Sequence, residues 1–331
     1  MAQPEVRGRF LWHELMTPDV GKASSFYPKV ISWKTQAWPQ DKNYTMWMSE
    51  RGPVGGLMPL PADAAAQGAH PQWLLYIGTP NVDETIDHAR RLGAQVKRAA
   101  HDVATIGRFA VLEDPQGVTF AIYSPTSPSA SLDAATKIGD FSWHELATKD
   151  GEAALEFYRQ LFGWELMTRM NMGEMGFYNI FGWKGTQRGG IFTMPKSNPM
   201  KPAWLSYAQV ASADEATNRA KSAGATVMNG PMEVPGGSRI TILMDPQGAA
   251  FAVHSLPAPQ PKAKAAAKPK AAATPKATAK PKAQAKPKAK AKTATKARVK
   301  AKAKAKRKAP RKAAASRTPK RKAKRAASRK K

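Results

Sequence analysis

The 331-residue sequence contains no cysteine, which excludes disulfides, thiolate nucleophiles and cysteine-ligated zinc. No apolar run approaches the about 18 residues of a membrane span, and the opening MAQPEVRGRF holds no apolar leader. A cytoplasmic protein is therefore expected. Neither G-x-x-x-x-G-K-[ST] nor G-x-G-x-x-G occurs, so RGPVGG at Arg51 and PGG at Pro235 read as turns rather than phosphate cradles. Acidic residues are absent from residues 257–331, which hold 30 of the 53 lysines and arginines. The remaining 256 residues carry 23 basic and 24 acidic side chains. The formal charge of +29 thus describes two objects, a near-neutral body and a polycationic tail. All nine tryptophans lie in the body, and Val299 is the largest apolar residue of the tail. Only the body is expected to bury enough apolar surface to fold.

The body repeats itself at a spacing of 131 residues. FLWHELMTPD from Phe10 returns as FSWHELATKD from Phe141, and DPQGVTFAIY from Asp114 returns as DPQGAAFAVH from Asp245. Between them Phe26, Tyr27, Trp33, Trp73, Tyr76 and Gly93 are echoed by Phe157, Tyr158, Trp164, Trp204, Tyr207 and Gly224. The body is a duplicated domain, with copies at 8–126 and 139–256 and a small, polar, Pro-containing linker at 127–138. Each copy reads as strand, helix and three strands, twice over. Thr17 and Asp19 offer N-cap oxygens to the first helix, and Asp150 does so in the second copy. Gly93 and Gly224 suit left-handed positions after their helices. DPQG suits a type I turn between two closing strands. Aromatic β stretches lie near Tyr44 to Met48 and Phe177 to Phe181, each followed by a Gly-Gly pair read as a turn or bulge.

The helix pattern D-x-x-x-A-x-x-F-Y, the helix ending in Gly-Ala and the DPQG hairpin together resemble the vicinal oxygen chelate superfamily, the group of glyoxalases, bleomycin-resistance proteins and extradiol dioxygenases. The W-H-E-L-x-T-x-D opening is similar to that of two-domain glyoxalase-like proteins of bacteria. The resemblance implies an α+β fold of four βαβββ modules, paired so that curved sheets form cups for a ligand. It also implies positions for a divalent metal, one on the first and one on the last strand of each module. Those positions fall on Trp12, Leu74 and Ala121 in the first copy and on Trp143, Leu205 and Ala252 in the second, and none of these side chains ligates a metal. The expectation is a metal-free cup for a small apolar or aromatic ligand, with no cofactor. The alternative is a metal-dependent lyase, isomerase or dioxygenase whose atypical site involves Glu14, Glu145 or His254.

Alternation along the first strand puts Trp12, Glu14 and Met16 on one face, and likewise Trp143 and Glu145, while His13 and His144 turn toward the helix layer for a packing role. A carboxylate on an aromatic cup face binds a cationic ligand group, has its pKa raised, or sits solvated at the mouth. Tyr76 and Tyr207 are placed on the walls, and Tyr123 and His254 on the last strand present polar tips to a ligand.

The tail pieces KPKA, AKAKAKRKAPRK and RTPKRKAKR resemble the C-terminal tails of linker histones. Alternating lysines and nine prolines oppose helix formation, so a disordered segment is expected. Lys290, Lys292, Lys302, Lys304, Lys306, Arg307, Lys308, Arg311, Lys312, Lys320, Arg321, Lys322, Lys324 and Arg325 are the candidate contacts to non-specific DNA, through counterion release. Without aromatics the tail cannot stack on single-stranded bases, and without large apolar residues it has no membrane anchor. Nucleoid association in a bacterial cell is the corresponding expectation, for a monomer or homodimer.

Overall fold

The structure is a computed structural model and describes residues 5–257, apart from residues 67, 128–134 and 199. Every tail residue named above as a DNA contact lies outside the described residues, as does most of the linker.

The first repeat runs β1 (Phe10–Thr17), α1 (Val20–Ile31), β2 (Lys34–Trp38), β3 (Asp41–Ser49), β4 (Gly52–Pro59), α2 (Ala62–Ala66), β5 (Gln72–Gly78), α3 (Val82–Arg91), β6 (Gln95–Val103), β7 (Gly107–Glu113) and β8 (Thr119–Pro125). The second runs β9 (Phe141–Thr148), α4 (Gly151–Phe162), β10 (Glu165–Asn171), β11 (Phe177–Trp183), β12 (Thr186–Thr193), β13 (Ala203–Gln209), α5 (Ala213–Ser222), β14 (Thr226–Glu233), β15 (Arg239–Met244) and β16 (Ala250–Ser255). Each repeat is thus two βαβββ modules. They share one eight-stranded sheet, ordered β2-β3-β4-β1-β5-β8-β7-β6 in the first repeat and β10-β11-β12-β9-β13-β16-β15-β14 in the second. The two modules meet where β1 and β5, or β9 and β13, pair antiparallel. The short α2 breaks the pattern read from sequence. Among the described residues no helix is long and apolar enough to cross a membrane.

The helices start and stop where local chemistry dictates. Asp19 caps α1 by accepting from the Lys22 amide, and Asp150 caps α4 through the amides of Glu152 and Ala153. Thr17 does not share this task. It is fully buried, and its hydroxyl has no hydrogen-bond partner. Ala23, Phe26, Tyr27, Val30 and Ile31 form the buried stripe of α1, at the spacing of one helix face.

That stripe is covered by the other repeat. One core joins Leu15, Phe26, Tyr27 and Trp47 of the first repeat to Val210, Phe251 and Val253 of the second, and another joins Ile77, Leu112 and Phe120 of the first to Tyr158, Phe162 and Trp164 of the second. The DPQG motif fastens these cores. Asp114 holds its own turn with one oxygen, accepting from the amides of Gln116 and Val118. Its other oxygen accepts from the Tyr158 hydroxyl at 3.2 Å. The Gln116 side chain donates to the carbonyl of Asp150 and accepts from its amide. Asp245 and Gln247 do the same to Tyr27 and Asp19. A motif that reads as a local turn is therefore also the clasp between repeats.

His13 and His144 leave the cup face, but they meet each other rather than a helix. Their Nε2 atoms lie 2.8 Å apart, and Phe141 stacks on His13 while Phe10 stacks on His144, at 3.8 and 3.7 Å between ring centroids. Equivalent residues of a duplicated chain touch where an approximate twofold axis passes between the copies, and this pair marks that axis.

Candidate functional site

The sheet face turned away from the helices carries the polar groups that sequence singled out. On β1 alternation brings Trp12, Glu14 and Met16 to it, and pairing with β5 sets Tyr76 beside Trp12 and Leu74 beside Glu14. β8 adds Ala121 and Tyr123 next to Tyr76 and Gly78.

Glu14 is only 8% exposed, so it is not a solvated acid at the mouth. Its two oxygens accept from the hydroxyls of Tyr44 and Tyr76, each at 2.8 Å, and the Trp12 indole N–H donates to the Tyr44 oxygen at 2.9 Å. The second repeat reproduces the arrangement. Glu145 accepts from Tyr178 at 2.9 Å and Tyr207 at 3.0 Å, and Trp143 donates to Tyr178 at 2.9 Å. Every donor in each chain points toward the carboxylate, an arrangement complementary to its ionised form. Burial acts in the opposite direction and raises the pKa of both glutamates, with the tyrosine hydroxyls pulling it back down. The Arg98 charge also lowers the pKa of Glu14.

Tyr44 and Tyr178 were not among the residues expected at the site, although their strands were. The signal lay in the Gly-Gly pairs that follow them. A Cβ at Gly56 would collide with the Tyr44 hydroxyl, and one at Gly190 with the Tyr178 ring. Gly55 and Gly189 leave the same room for the carbonyls of His13 and His144. These glycines are slots in β4 and β12 that make room for a tyrosine of the neighbouring strand, and each pair adjoins a β-bulge, where the register shifts between Trp47 and Met48 and between Phe181 and Gly182.

The remaining predicted residues sort differently. The Tyr123 hydroxyl donates to the Ile106 carbonyl at 3.0 Å, so its ring rather than its polar tip packs on the face. His254 is half-buried, with Nδ1 2.9 Å from the Ser142 hydroxyl, and burial lowers its pKa. In the first repeat Trp12, Met16, Phe109, Val111 and Tyr123 pack around Leu74, Tyr76 and Ala121, so the cup is partly filled by its own side chains. In the second, Glu145 and Leu205 are partly exposed where Glu14 and Leu74 are buried, so the face is more open at those two positions.

The residues present do not fit a resident metal. Trp12, Leu74 and Ala121, and their partners Trp143, Leu205 and Ala252, supply no ligand. Both oxygens of each glutamate already accept from tyrosines. Among the described residues no three His, Cys, Asp or Glu side chains gather into a metal-binding group.

Residues 140–253 match the profile of the Glyoxalase/Bleomycin resistance protein/Dioxygenase superfamily, and residues 13–123 match that of a Glyoxalase-like domain. CFP32 of Mycobacterium tuberculosis is 29% identical over 252 residues, 75% of this chain and 95% of its own length. The anthracycline biosynthesis protein DauV of a Streptomyces species is 26% identical over 269 residues, 77% of this chain and 96% of its own. Among solved structures, homoprotocatechuate 2,3-dioxygenase from Brevibacterium fuscum, in complex with 3,4-dihydroxyphenylacetate, has a TM-score of 0.56 at 15% identity, covering 79% of this chain and 86% of its own. The Mn(II)-bound glyoxalase from Novosphingobium aromaticivorans has a TM-score of 0.53 at 16% identity, covering 77% and 83%. At those identities the structural likeness speaks for the fold alone.

Proposed function

We propose a function from one premise: the chain carries two tandem domains of the glyoxalase/bleomycin resistance/dioxygenase superfamily. The body is a metal-independent binding protein for small apolar or aromatic molecules, and the polycationic tail holds it on DNA. The carrying observation is the duplicated Trp–Tyr–Glu–Tyr network, which fixes a carboxylate on an aromatic sheet face where a metal centre would require open ligands. Such a face supplies apolar contact area, and the glutamate and tyrosines orient polar groups of the ligand. The relative named for anthracycline biosynthesis is in keeping with a polycyclic ligand.

Two experiments test this reading. Elemental analysis after dialysis should find no stoichiometric divalent metal, and binding of aromatic compounds, followed by tryptophan fluorescence, should persist in EDTA. Metal retained by the protein and lost in Glu14→Gln or Glu145→Gln would replace this reading with the metal enzyme. For the tail, the full chain should bind duplex DNA with an affinity that falls steeply with salt, and a chain ending at residue 257 should not. Equal DNA binding by both would remove the tail from the account.

A further inference from the structure

The repeat offers an internal comparison, because the two cups keep Trp, Glu and both tyrosines and differ around them. Arg98 on β6 pairs in register with Val111, and the corresponding residue, paired with Ile242, is Asn229. Met16 corresponds to Ala147, Phe109 to Ile240 and Tyr123 to His254.

In the first cup the charge of an exposed arginine, Arg98, reaches the carboxylate. The Arg98 guanidinium lies 5.7 Å from the Phe109 ring centroid, and its charge favours ionised Glu14. In the second cup Glu145 is desolvated as well, yet only the hydroxyls of Tyr178 and Tyr207 oppose that cost. The nearby Arg188 charge acts on His144, and His254 is biased toward its neutral form. Glu145 nevertheless keeps part of its surface open, and Ala147 in place of methionine leaves room beside it. Around it stand Trp143, Tyr207 and the stacked rings of Tyr178 and Phe192, whose centroids are 5.9 Å apart. A carboxylate with no cation acting on it among the described residues, walled by aromatic rings, attracts an ammonium group through both the ion pair and the negative ring faces.

We infer that the second cup takes a ligand carrying a cationic amine, which stands in for the Arg98 that this repeat lacks. This rests on the reading of the cups as ligand sites and adds the ligand's charge and the repeat that reads it.

The test uses the full chain with 2-phenylethylammonium and the neutral 2-phenylethanol, titrated by calorimetry at fixed salt. The ammonium probe should bind about tenfold or more tightly than the alcohol. That preference should vanish in Glu145→Gln and in Asn229→Arg. Asn229 is exposed, so Asn229→Arg keeps the test decisive if Glu145→Gln fails to fold. Equal binding of the two probes, or a preference that survives Asn229→Arg, overturns the inference while leaving the cups as ligand sites. Binding of neither probe overturns both.

Discussion

The histidine pair on the approximate twofold axis sets how stability depends on pH. Burial, together with the Arg188 charge beside it, pushes His144 from its ordinary 6.5 down to about 3. His13 is held below its ordinary value by burial and by His144. A histidine neutral in the folded state but able to protonate when unfolded stabilises the fold above about pH 6.5, and that stability is lost as pH falls toward the folded value. Between pH 7.5 and 5 the loss from His144 alone is about 2 kcal/mol, at about 1.4 kcal/mol per pH unit below 6.5. His13 adds to it in the same direction. Glu14 and Glu145 work oppositely. Their raised pKa values penalise the fold at neutral pH, and the penalty lifts as pH falls through those values toward the ordinary 4.5. Urea unfolding of the full chain at the two pH values, beside His144→Gln, isolates the histidine contribution. The variant should be less stable at pH 7.5 but lose about 2 kcal/mol less on acidification. Parallel losses in both proteins would refute the assignment of a neutral buried His144.

Three other outcomes follow from the geometry. Tyr44→Phe should raise the Glu14 pKa further, read by carbon-13 NMR of the carboxyl, because it removes one of two hydroxyl donors. No rise would mean that the hydroxyl does not hold the carboxylate. Gly190→Ala should cost about 1–3 kcal/mol in urea unfolding and displace Tyr178, since the new methyl occupies the space of its ring; an unchanged stability and tyrosine environment would show that the slot is not tight. Tyr158→Phe should cost about 1–3 kcal/mol by leaving one Asp114 oxygen without its partner, with Tyr27→Phe giving a similar loss through Asp245.

Much of the architecture was legible because the duplication repeats its own punctuation: the capping aspartates, the glycines after the second helices and the DPQG turns recur at one spacing. What escaped is instructive. Tyr44 and Tyr178 stand 134 residues apart rather than 131, since the intervening strands and loops differ in length, and an aromatic in a strand looks like core until its partner is known. The Gly-Gly pairs read as a turn or bulge, and bulges do adjoin them, but the tyrosines they accommodate lie on a neighbouring strand and leave no mark in the local pattern. Asp114 and Gln116 satisfied every local requirement of a turn, so nothing in the pattern announced that their remaining atoms reach the other repeat. His13 was placed on the correct side of β1, but alternation says only which way a side chain leaves the strand, not what it meets. The first glutamate proved far more buried than a mouth residue, with Tyr44 and Tyr76 bracketing its carboxylate.

The shared cores change what the linker is for. Neither repeat has a complete apolar interior of its own: the stripe of α1 lies against Phe251, and Phe120 lies against Tyr158. Each repeat is thus the folding template of the other, and the peptide connection contributes chiefly a high effective concentration. Residues 1–127 and 135–331 made as separate polypeptides should each remain unstructured alone and assemble on mixing, as a split protein does.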